Sequence, residues 1–169
     1  MKNKKARNSL IYICEASAIA ALYTAITVII GPFGNAAVQC RISEAMCILP
    51  VFTPAAIPGL TIGCLLFNIT SGAALPLDFL VGSLASLLAA TGMWFARKWT
   101  VRGLPLLGFF LPALTNALLV GWELTHYIGG GFWINALYVA IGELAVLLTL
   151  GILLFYALRS RGLDRKLFE

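Results

Sequence analysis

Long, almost uncharged apolar stretches alternate with three short clusters of basic residues along this chain. The clusters contain eleven of the twelve Lys and Arg side chains and lie near the N-terminus, in the middle and near the C-terminus: Lys2, Lys4, Lys5 and Arg7; Arg97, Lys98 and Arg102; and Arg159, Arg161, Arg165 and Lys166. In membrane proteins, basic residues that flank apolar segments collect on the cytoplasmic side. All three clusters are therefore predicted to lie in the cytoplasm, with an even number of spans between each cluster and the next.

The composition agrees with a membrane protein. Hydrophobic residues make up 60% of the 169 residues, charged residues make up 11%, and the mean hydropathy is +0.93. A helix needs about 20 residues to cross a hydrocarbon core of about 30 Å, so six spans with short loops leave no room for a soluble catalytic domain. The net charge of +5 follows from the three clusters, and we expect no nucleic-acid partner.

The sequence predicts an all-α integral membrane protein, a single domain over residues 1–169 that forms a bundle of six transmembrane helices with both termini cytoplasmic. Glycine and proline mark helix ends, as at Gly31-Pro32 and in the proline-rich connection Leu49–Gly59. The first apolar segment is longer than a signal-peptide core of about 7–15 residues, so we expect it to be retained. The predicted helices cover approximately Ser9–Ile30, Ala37–Phe52, Pro58–Thr70, Leu77–Phe95, Leu104–Tyr127 and Phe132–Leu158.

Polar and aromatic residues within these helices are the candidate substrate-binding residues: Arg41, Glu44, Asn68, Asp78, Asn116, Trp122, Glu123, Trp133, Asn135 and Glu143. An ionisable side chain at the bilayer centre costs about 2.5–3.5 kcal/mol on insertion scales and usually has a function. Most of the candidates fall in the predicted outer half of the bundle, which favours an outward-facing pocket over a channel or a proton relay. Carboxylates, amides and aromatic rings suit a nitrogenous aromatic molecule, including a cationic one. Gly82, Ser83 and Ser86 would leave room for a planar ring.

Structural roles are open for several of these residues. Arg41 and Glu44, at i and i+3, could simply neutralise each other. Asp78 could be a helix N-cap, and the tryptophans could belong to an interfacial aromatic belt. Glu143 is the hardest to explain structurally, because its depth in the last predicted helix makes its charge the most costly.

Small residues recur at four-residue spacing on the first predicted helix. Ser17, Ala21 and Ala25 form one such row, and Ala16 and Ala20 lie beside it. Small residues at i and i+4 allow another helix to approach closely. The row predicts a docking face for another membrane protein, with packing inside the bundle as the alternative.

The sequence carries no signature of an enzyme. It has one His and no HExxH, GxSxG or Walker A motif. The four cysteines form no CxxC pair and lie in apolar segments, where Cys behaves as a small hydrophobic residue: Cys14, Cys40, Cys47 and Cys64. We therefore expect no disulfide, no metal and no cofactor.

One segment carries a family resemblance. The run VQCRISEAMCILPVFTPAAIPGL, which begins at Val38, continues with Gly63-Cys64 and Asn68. It resembles the queuosine-precursor (QueT-type) family of S components of energy-coupling factor (ECF) transporters. The likeness is detailed over Gln39–Asn68, looser over Ser17–Ala25 and Gly82–Leu88, and architectural beyond Arg97.

The resemblance implies a six-helix bacterial plasma-membrane protein that binds a micronutrient from outside. It also implies partners: a transmembrane coupling protein and two cytoplasmic ATPases, with the S component toppling in the lipid and docking through Ala21 and Ala25. The implied substrate is a deazapurine such as 7-aminomethyl-7-deazaguanine, or salvaged queuine or queuosine. Glu123 or Asp78 could then accept hydrogen bonds from the N1–H and the exocyclic amine of the guanine ring. Asn68 and Asn116 would supply the amides, and Trp122 or Trp133 would stack on the ring. A folate or flavin S component, or a membrane-assembly protein without a small ligand, are the alternatives.

Overall fold

The computed structural model describes residues 2–30, 41–72, 74–101, 103–160 and 162, with side chains from residue 7 onward. Within these ranges the chain is helical apart from turns and one isolated β-bridge between Val101 and Leu104. The all-α prediction is therefore confirmed. The elements are α1 (Lys2–Ile30), a 3₁₀ segment (Ile42–Val51), α2 (Ala56–Thr70), α3 (Asp78–Ala96), α4 (Leu106–Tyr127), α5 (Phe132–Val146), a π turn (Leu147–Gly151) and α6 (Ile152–Ser160).

Four of the described helical stretches are long and apolar enough to cross a membrane: Arg7–Ile30, Asp78–Ala96, Leu106–Tyr127 and Phe132–Ser160. The last of these runs through α5, the π turn and α6. The 3₁₀ segment and α2 are apolar but shorter, and 15 α-helical residues extend only about 22 Å. The chain is thus a helical membrane protein, while the six-span count and the cytoplasmic termini stay predictions.

The second predicted helix is the main correction. We predicted a helix over Ala37–Phe52; its first residues lie outside the described ones, and Ile42–Val51 is a 3₁₀ helix that contains Pro50. In an α-helix, a proline ring clashes with the carbonyl group four residues earlier. In a 3₁₀ helix, side chains three residues apart are eclipsed. Glu44 and Cys47 therefore project from the same side, directly below Arg41 at the N-cap position.

Helices α1 and α2 are in close contact through two glycines of α2. A Cβ atom added at Gly59 would lie 2.9 Å from the backbone oxygen of Ala16, and one at Gly63 would lie 3.0 Å from that of Ala20. The Gly59–Gly63 spacing is the small-xxx-small pattern that brings membrane helices together. Ala16 and Ala20 therefore contribute to packing within the bundle. Ser17, Ala21 and Ala25 lie on the exposed face of α1, which is the predicted docking surface.

The bundle has an apolar half and a polar half. Helices α2 to α5 pack against their neighbours in chain order, and short turns at residues 71–72, 74–77 and 128–131 close one end. The core towards the other end is apolar and includes Ile48, Leu60, Met93, Phe109 and Leu147. Large apolar side chains cover the outer surface of the spans, as expected of a lipid-facing surface. The buried polar residues collect near the end closed by the two turns.

Candidate functional site

A small buried cavity lies at the polar end of the bundle. Its lining combines charged, small and apolar side chains: Arg41, Glu44, Gly82, Ser86, Asn116, Val120, Val139 and Glu143. Four of the predicted binding residues are in this lining, and they come from the 3₁₀ segment, α4 and α5. The cavity volume is about 10 Å³, which is about enough for one water molecule.

Glu44 is held from two sides. The hydroxyl group of Tyr23 on α1 donates to its Oε1 at 2.5 Å, and the thiol of Cys47 donates to its Oε2 at 3.1 Å. Tyr23 and Cys47 are fully buried. The 3₁₀ geometry aligns Cys47 with Glu44, and the close packing of α1 on α2 brings Tyr23 within reach. The carboxylate is therefore fixed in position at the wall of the cavity.

Arg41 is buried without a hydrogen-bonded carboxylate partner among the described residues. Its Nη1 lies 4.0 Å from the sulfur of Cys64, its Nε has no hydrogen-bond partner within the described part of the chain, and its guanidinium lies 5.6 Å from the centre of the Phe67 ring. The Arg41–Glu44 ion pair that the sequence left open is not formed as a direct contact. The guanidinium instead lies in the electrostatic field of carboxyl groups that include Glu44 and Asp78.

Glu143 and Asn116 form the opposite wall. The Asn116 side chain hydrogen-bonds the Glu143 carboxyl group, which also lies in the electrostatic field of Glu44. Glu143 is only 3% exposed, and its Oε1 has no hydrogen-bond partner within the described chain. Two carboxyl groups, Glu44 and Glu143, therefore face the same small cavity from different helices.

A second carboxyl pair lies beside the cavity. Asp78, the first residue of α3, and Glu123 on α4 are neighbouring carboxyl groups. Asp78 Oδ2 accepts a hydrogen bond from the Leu75 amide at 3.0 Å, which fixes the turn before α3, and Leu77 occupies the N-cap position. Asp78 Oδ1 and both oxygens of Glu123 have no donor among the described residues. Two ionised carboxyl groups cannot donate to each other, so this pair attracts a cation or a proton.

Asn68 joins the second pair to α2. Its Nδ2 donates to the backbone oxygen of Asp78 at 2.8 Å, while its Oδ1 has no hydrogen-bond partner among the described residues. The absence of a side chain at Gly82 permits this arrangement, because an added Cβ would lie 2.7 Å from the Asn68 nitrogen. Gly82 and Ser86 thus form the predicted small-residue surface on α3, with Gly82 against Asn68.

Three predicted binding residues lie apart from this cluster. Trp122 and Trp133 are 50% and 76% exposed and are not in the cavity lining. Asn135 donates through its Nδ2 to Thr125 and to the backbone oxygen of Gly129, both at 3.0 Å, and so fastens the turn between α4 and α5. A role for these residues in binding stays a prediction.

The charges of the cluster do not balance. Arg41 lies in the field of four buried carboxyl groups, Glu44, Asp78, Glu123 and Glu143. If all five groups are ionised, the formal charge is one positive against four negative, a balance of −3. Buried charges are costly unless paired, so this arrangement favours either protonation of some of the carboxyl groups or a ligand with positive charge and hydrogen-bond donors.

The family-model comparison agrees with a ligand-binding membrane protein. A model described as QueT transporter matches residues 13–160. This chain belongs to the QueT transporter family. The match confirms the resemblance carried by Gln39–Asn68, and it establishes a transport protein and not an enzyme. No curated protein and no solved structure matches the chain.

The sequence did not predict the side chains that contact Glu44, Arg41 and Ser43 in this QueT transporter. Tyr23 and Thr27, one turn apart on α1, both face the 3₁₀ segment, and Thr27 donates to the Ser43 hydroxyl at 2.7 Å. Cys47 and Cys64, interpreted as small hydrophobic residues, contact Glu44 and Arg41. The sequence offered no clear signal for the α1 contacts, because α1 also contains other hydroxyl side chains, Ser17 and Thr24.

One group of side chains in the cluster has the composition of a metal site. Donor atoms of Glu44, Cys47 and Glu143 lie within 4.8 Å of one another. Both oxygens of Glu44 already accept protein hydrogen bonds, and Arg41 adds positive charge nearby. We therefore keep the expectation that no metal is required.

Proposed function

We propose that this QueT family member is the substrate-binding S component of an ECF-type uptake transporter and that it binds a cationic queuosine precursor. One observation carries the proposal. Among the described residues, five buried acceptor atoms of the cluster have no hydrogen-bond partner: Oδ1 of Asn68, Oδ1 of Asp78, both carboxyl oxygens of Glu123 and Oε1 of Glu143. The buried donor without a partner in the same part of the chain is Nε of Arg41. A site of this kind suits a ligand rich in donors.

The hydrogen-bond donors and the charge of 7-aminomethyl-7-deazaguanine match these unpartnered acceptor atoms. Its ring N1–H and exocyclic amine present two donors on one edge, which a carboxylate accepts, and its carbonyl oxygen can accept from a guanidinium or an amide. Its protonated aminomethyl group supplies positive charge. We assign one carboxyl pair, Asp78 with Glu123 or Glu44 with Glu143, to the guanine edge and the other to the ammonium group. Arg41 or Asn116 then donates to the ring carbonyl.

Binding requires the site to widen. A cavity of about 10 Å³ does not hold a bicyclic ring, so side chains or helix ends must separate as the ligand enters. The uptake route forms part of the same proposal: six spans with cytoplasmic termini in the plasma membrane, toppling of the loaded protein, and release through a coupling protein powered by two ATPases. Family membership and the polar end of the bundle support it.

Titration calorimetry on the purified chain tests the ligand. We expect 7-aminomethyl-7-deazaguanine to bind more tightly than its neutral 7-cyano analogue, because only the amine compensates the carboxyl excess. Glu123→Gln should weaken binding by roughly tenfold or more, since a charged hydrogen bond contributes about 1.5–3 kcal/mol.

The matched control is Glu15→Gln. Glu15 is also a carboxyl group within a span, but it accepts from Thr53 at 3.0 Å, away from the cavity. Its replacement should leave the affinity unchanged. Equal loss in both variants would argue against the assigned site. Wild-type protein that binds a folate or a flavin but no deazapurine would contradict the substrate, and protein that binds none of them would favour an assembly role.

A further inference from the structure

A second cleft lies at the opposite end of the bundle from the polar cluster. It has a volume of about 250 Å³ and combines basic and apolar walls: Val51, Phe52, Arg97, Thr100, Gly103, Pro105, Phe155 and Arg159. The lining comes from the end of the 3₁₀ segment, the ends of α3 and α6, and the turn before α4. None of the described lining residues is acidic, so the two guanidinium groups give this part of the cleft a formal charge of +2.

Both arginines are held in place. Nη1 of Arg97 donates to the backbone oxygen of Trp94 at 2.6 Å, and its guanidinium lies 3.3 Å from the centre of the Trp94 ring. Nη1 of Arg159 donates to the backbone oxygen of Gly103 at 2.9 Å. A guanidinium has five N–H donors, so each arginine keeps donors for a ligand while its orientation is fixed.

The turn that holds Arg159 is itself well defined. Val101 and Leu104 exchange two backbone hydrogen bonds, of 2.8 and 3.1 Å. Gly103 between them has a φ of +81°, a conformation that favours glycine. The wall of the cleft at Gly103 is therefore held by backbone hydrogen bonds as well as by the contact with Arg159.

We propose that this cleft binds the phosphate of an anionic membrane phospholipid. Two oriented guanidinium groups match the geometry of a phosphate. The apolar side chains Val51, Phe52 and Phe155 provide a surface for the glycerol and the first methylene groups of the acyl chains. Trp99, 68% exposed beside the cleft, is a residue type that collects at the membrane interface. Basic pockets between helices at the cytoplasmic interface bind such headgroups.

Native mass spectrometry of the full chain in detergent, with phosphatidylglycerol or phosphatidylcholine added, tests the assignment. We expect phosphatidylglycerol to bind roughly tenfold more tightly than phosphatidylcholine. Both lipids carry a phosphate, but the choline ammonium group of phosphatidylcholine offsets that negative charge and is repelled by the two guanidinium groups. Arg97→Gln with Arg159→Gln should remove the preference. The matched control, Lys98→Gln, deletes an exposed positive charge next to Arg97 that is not in the lining, and should change the preference by about twofold or less.

Three further measurements can contradict the lipid assignment. If the double variant does not fold, the wild-type preference must still fall as salt increases, because the contact is ionic. Glycerol phosphate or inorganic phosphate that displaces the lipid at equal concentration would assign the cleft to a soluble anion. The wild type could also show no preference between the two lipids, while the double variant assembles more weakly with the coupling protein and its ATPases. That outcome would assign the cleft to an acidic partner protein. Either result would overturn the lipid assignment.

Discussion

Glu44 shows how much of the site depends on single hydrogen bonds. It lies 4% exposed among three other carboxyl groups, and Tyr23 and Cys47 supply its donors. A buried carboxylate without donors carries a desolvation penalty of a few kcal/mol. The hydroxyl group of Tyr23 therefore stabilises both the fold and the charge distribution of the cavity, although a tyrosine within an apolar helix has no distinguishing mark in the sequence.

Tyr23→Phe is expected to destabilise the protein by about 1–3 kcal/mol, because the ring still fills its buried place while Glu44 loses a donor. The measurement is the thermal unfolding midpoint in detergent without ligand. Tyr138→Phe is the control, since Tyr138 is 45% exposed on α5 and its loss of a hydroxyl group should have little effect. Equal midpoints for Tyr23→Phe and the wild type would show that the Tyr23–Glu44 contact contributes nothing to stability.

At the scale of elements, α2 sets the spacing of the bundle. Gly59 and Gly63 bring α1 against one side of it, and Gly82 on α3 accommodates Asn68 on another side. A short helix with small contact residues therefore holds Tyr23 and Asn68 at fixed distances from the 3₁₀ segment and α3. The polar site depends on this close packing as directly as on its own side chains.

Gly63→Ala should force α1 and α2 apart. The new Cβ would lie 2.9 Å from Cβ of Tyr23 and 3.0 Å from the Ala20 backbone oxygen, and neither atom can move without its helix. Overpacking of this kind costs about 1–3 kcal/mol, more than the gain in helix propensity from alanine. Thermal unfolding measures the loss. Gly72→Ala is the control, because no atom of the described residues, apart from its own chain neighbours, lies within 4 Å of its added Cβ. A larger loss at Gly72 would contradict the packing explanation.

The elements also show what the sequence could and could not predict. Charge placement and turn residues located five of the six helices to within a few residues, apart from the N-terminal extension of α1 to Lys2. The 3₁₀ segment was not predictable, because hydrophobicity does not distinguish a tight helix from an α-helix over ten residues. The cost of buried charge predicted that Arg41, Glu44 and Glu143 matter. Their partners Tyr23 and Cys47 came only from tertiary packing.

At the scale of the whole molecule, the exposed face of α1 remains to be assigned. Ala21→Trp and Ala25→Trp add a large side chain at exposed positions of this face, and neither residue is in the lining of the polar cavity. If it docks on a coupling protein, both variants should lose most transport in cells while the purified proteins keep their ligand affinity. Leu118→Trp is the control, at a residue 45% exposed on α4. Full transport by both α1 variants in folded protein would exclude this face from docking.

The two unlike ends of the molecule predict its orientation in the membrane. The turn at residues 128–131 lies near the polar cluster, and Val101 lies in the turn beside the basic cleft. The positive-inside rule places the Arg97 cluster in the cytoplasm, which leaves the polar end outside, where a nutrient arrives. In a cysteine-free background, a membrane-impermeant maleimide should label Ile128→Cys in intact cells and Val101→Cys only after permeabilisation. Both positions are well exposed, at 69% and 58%, so accessibility to the reagent is matched. Labelling of Val101→Cys in intact cells, with Ile128→Cys labelled only after permeabilisation, would show the opposite orientation. The polar cavity would then lie on the cytoplasmic side, which contradicts uptake from outside.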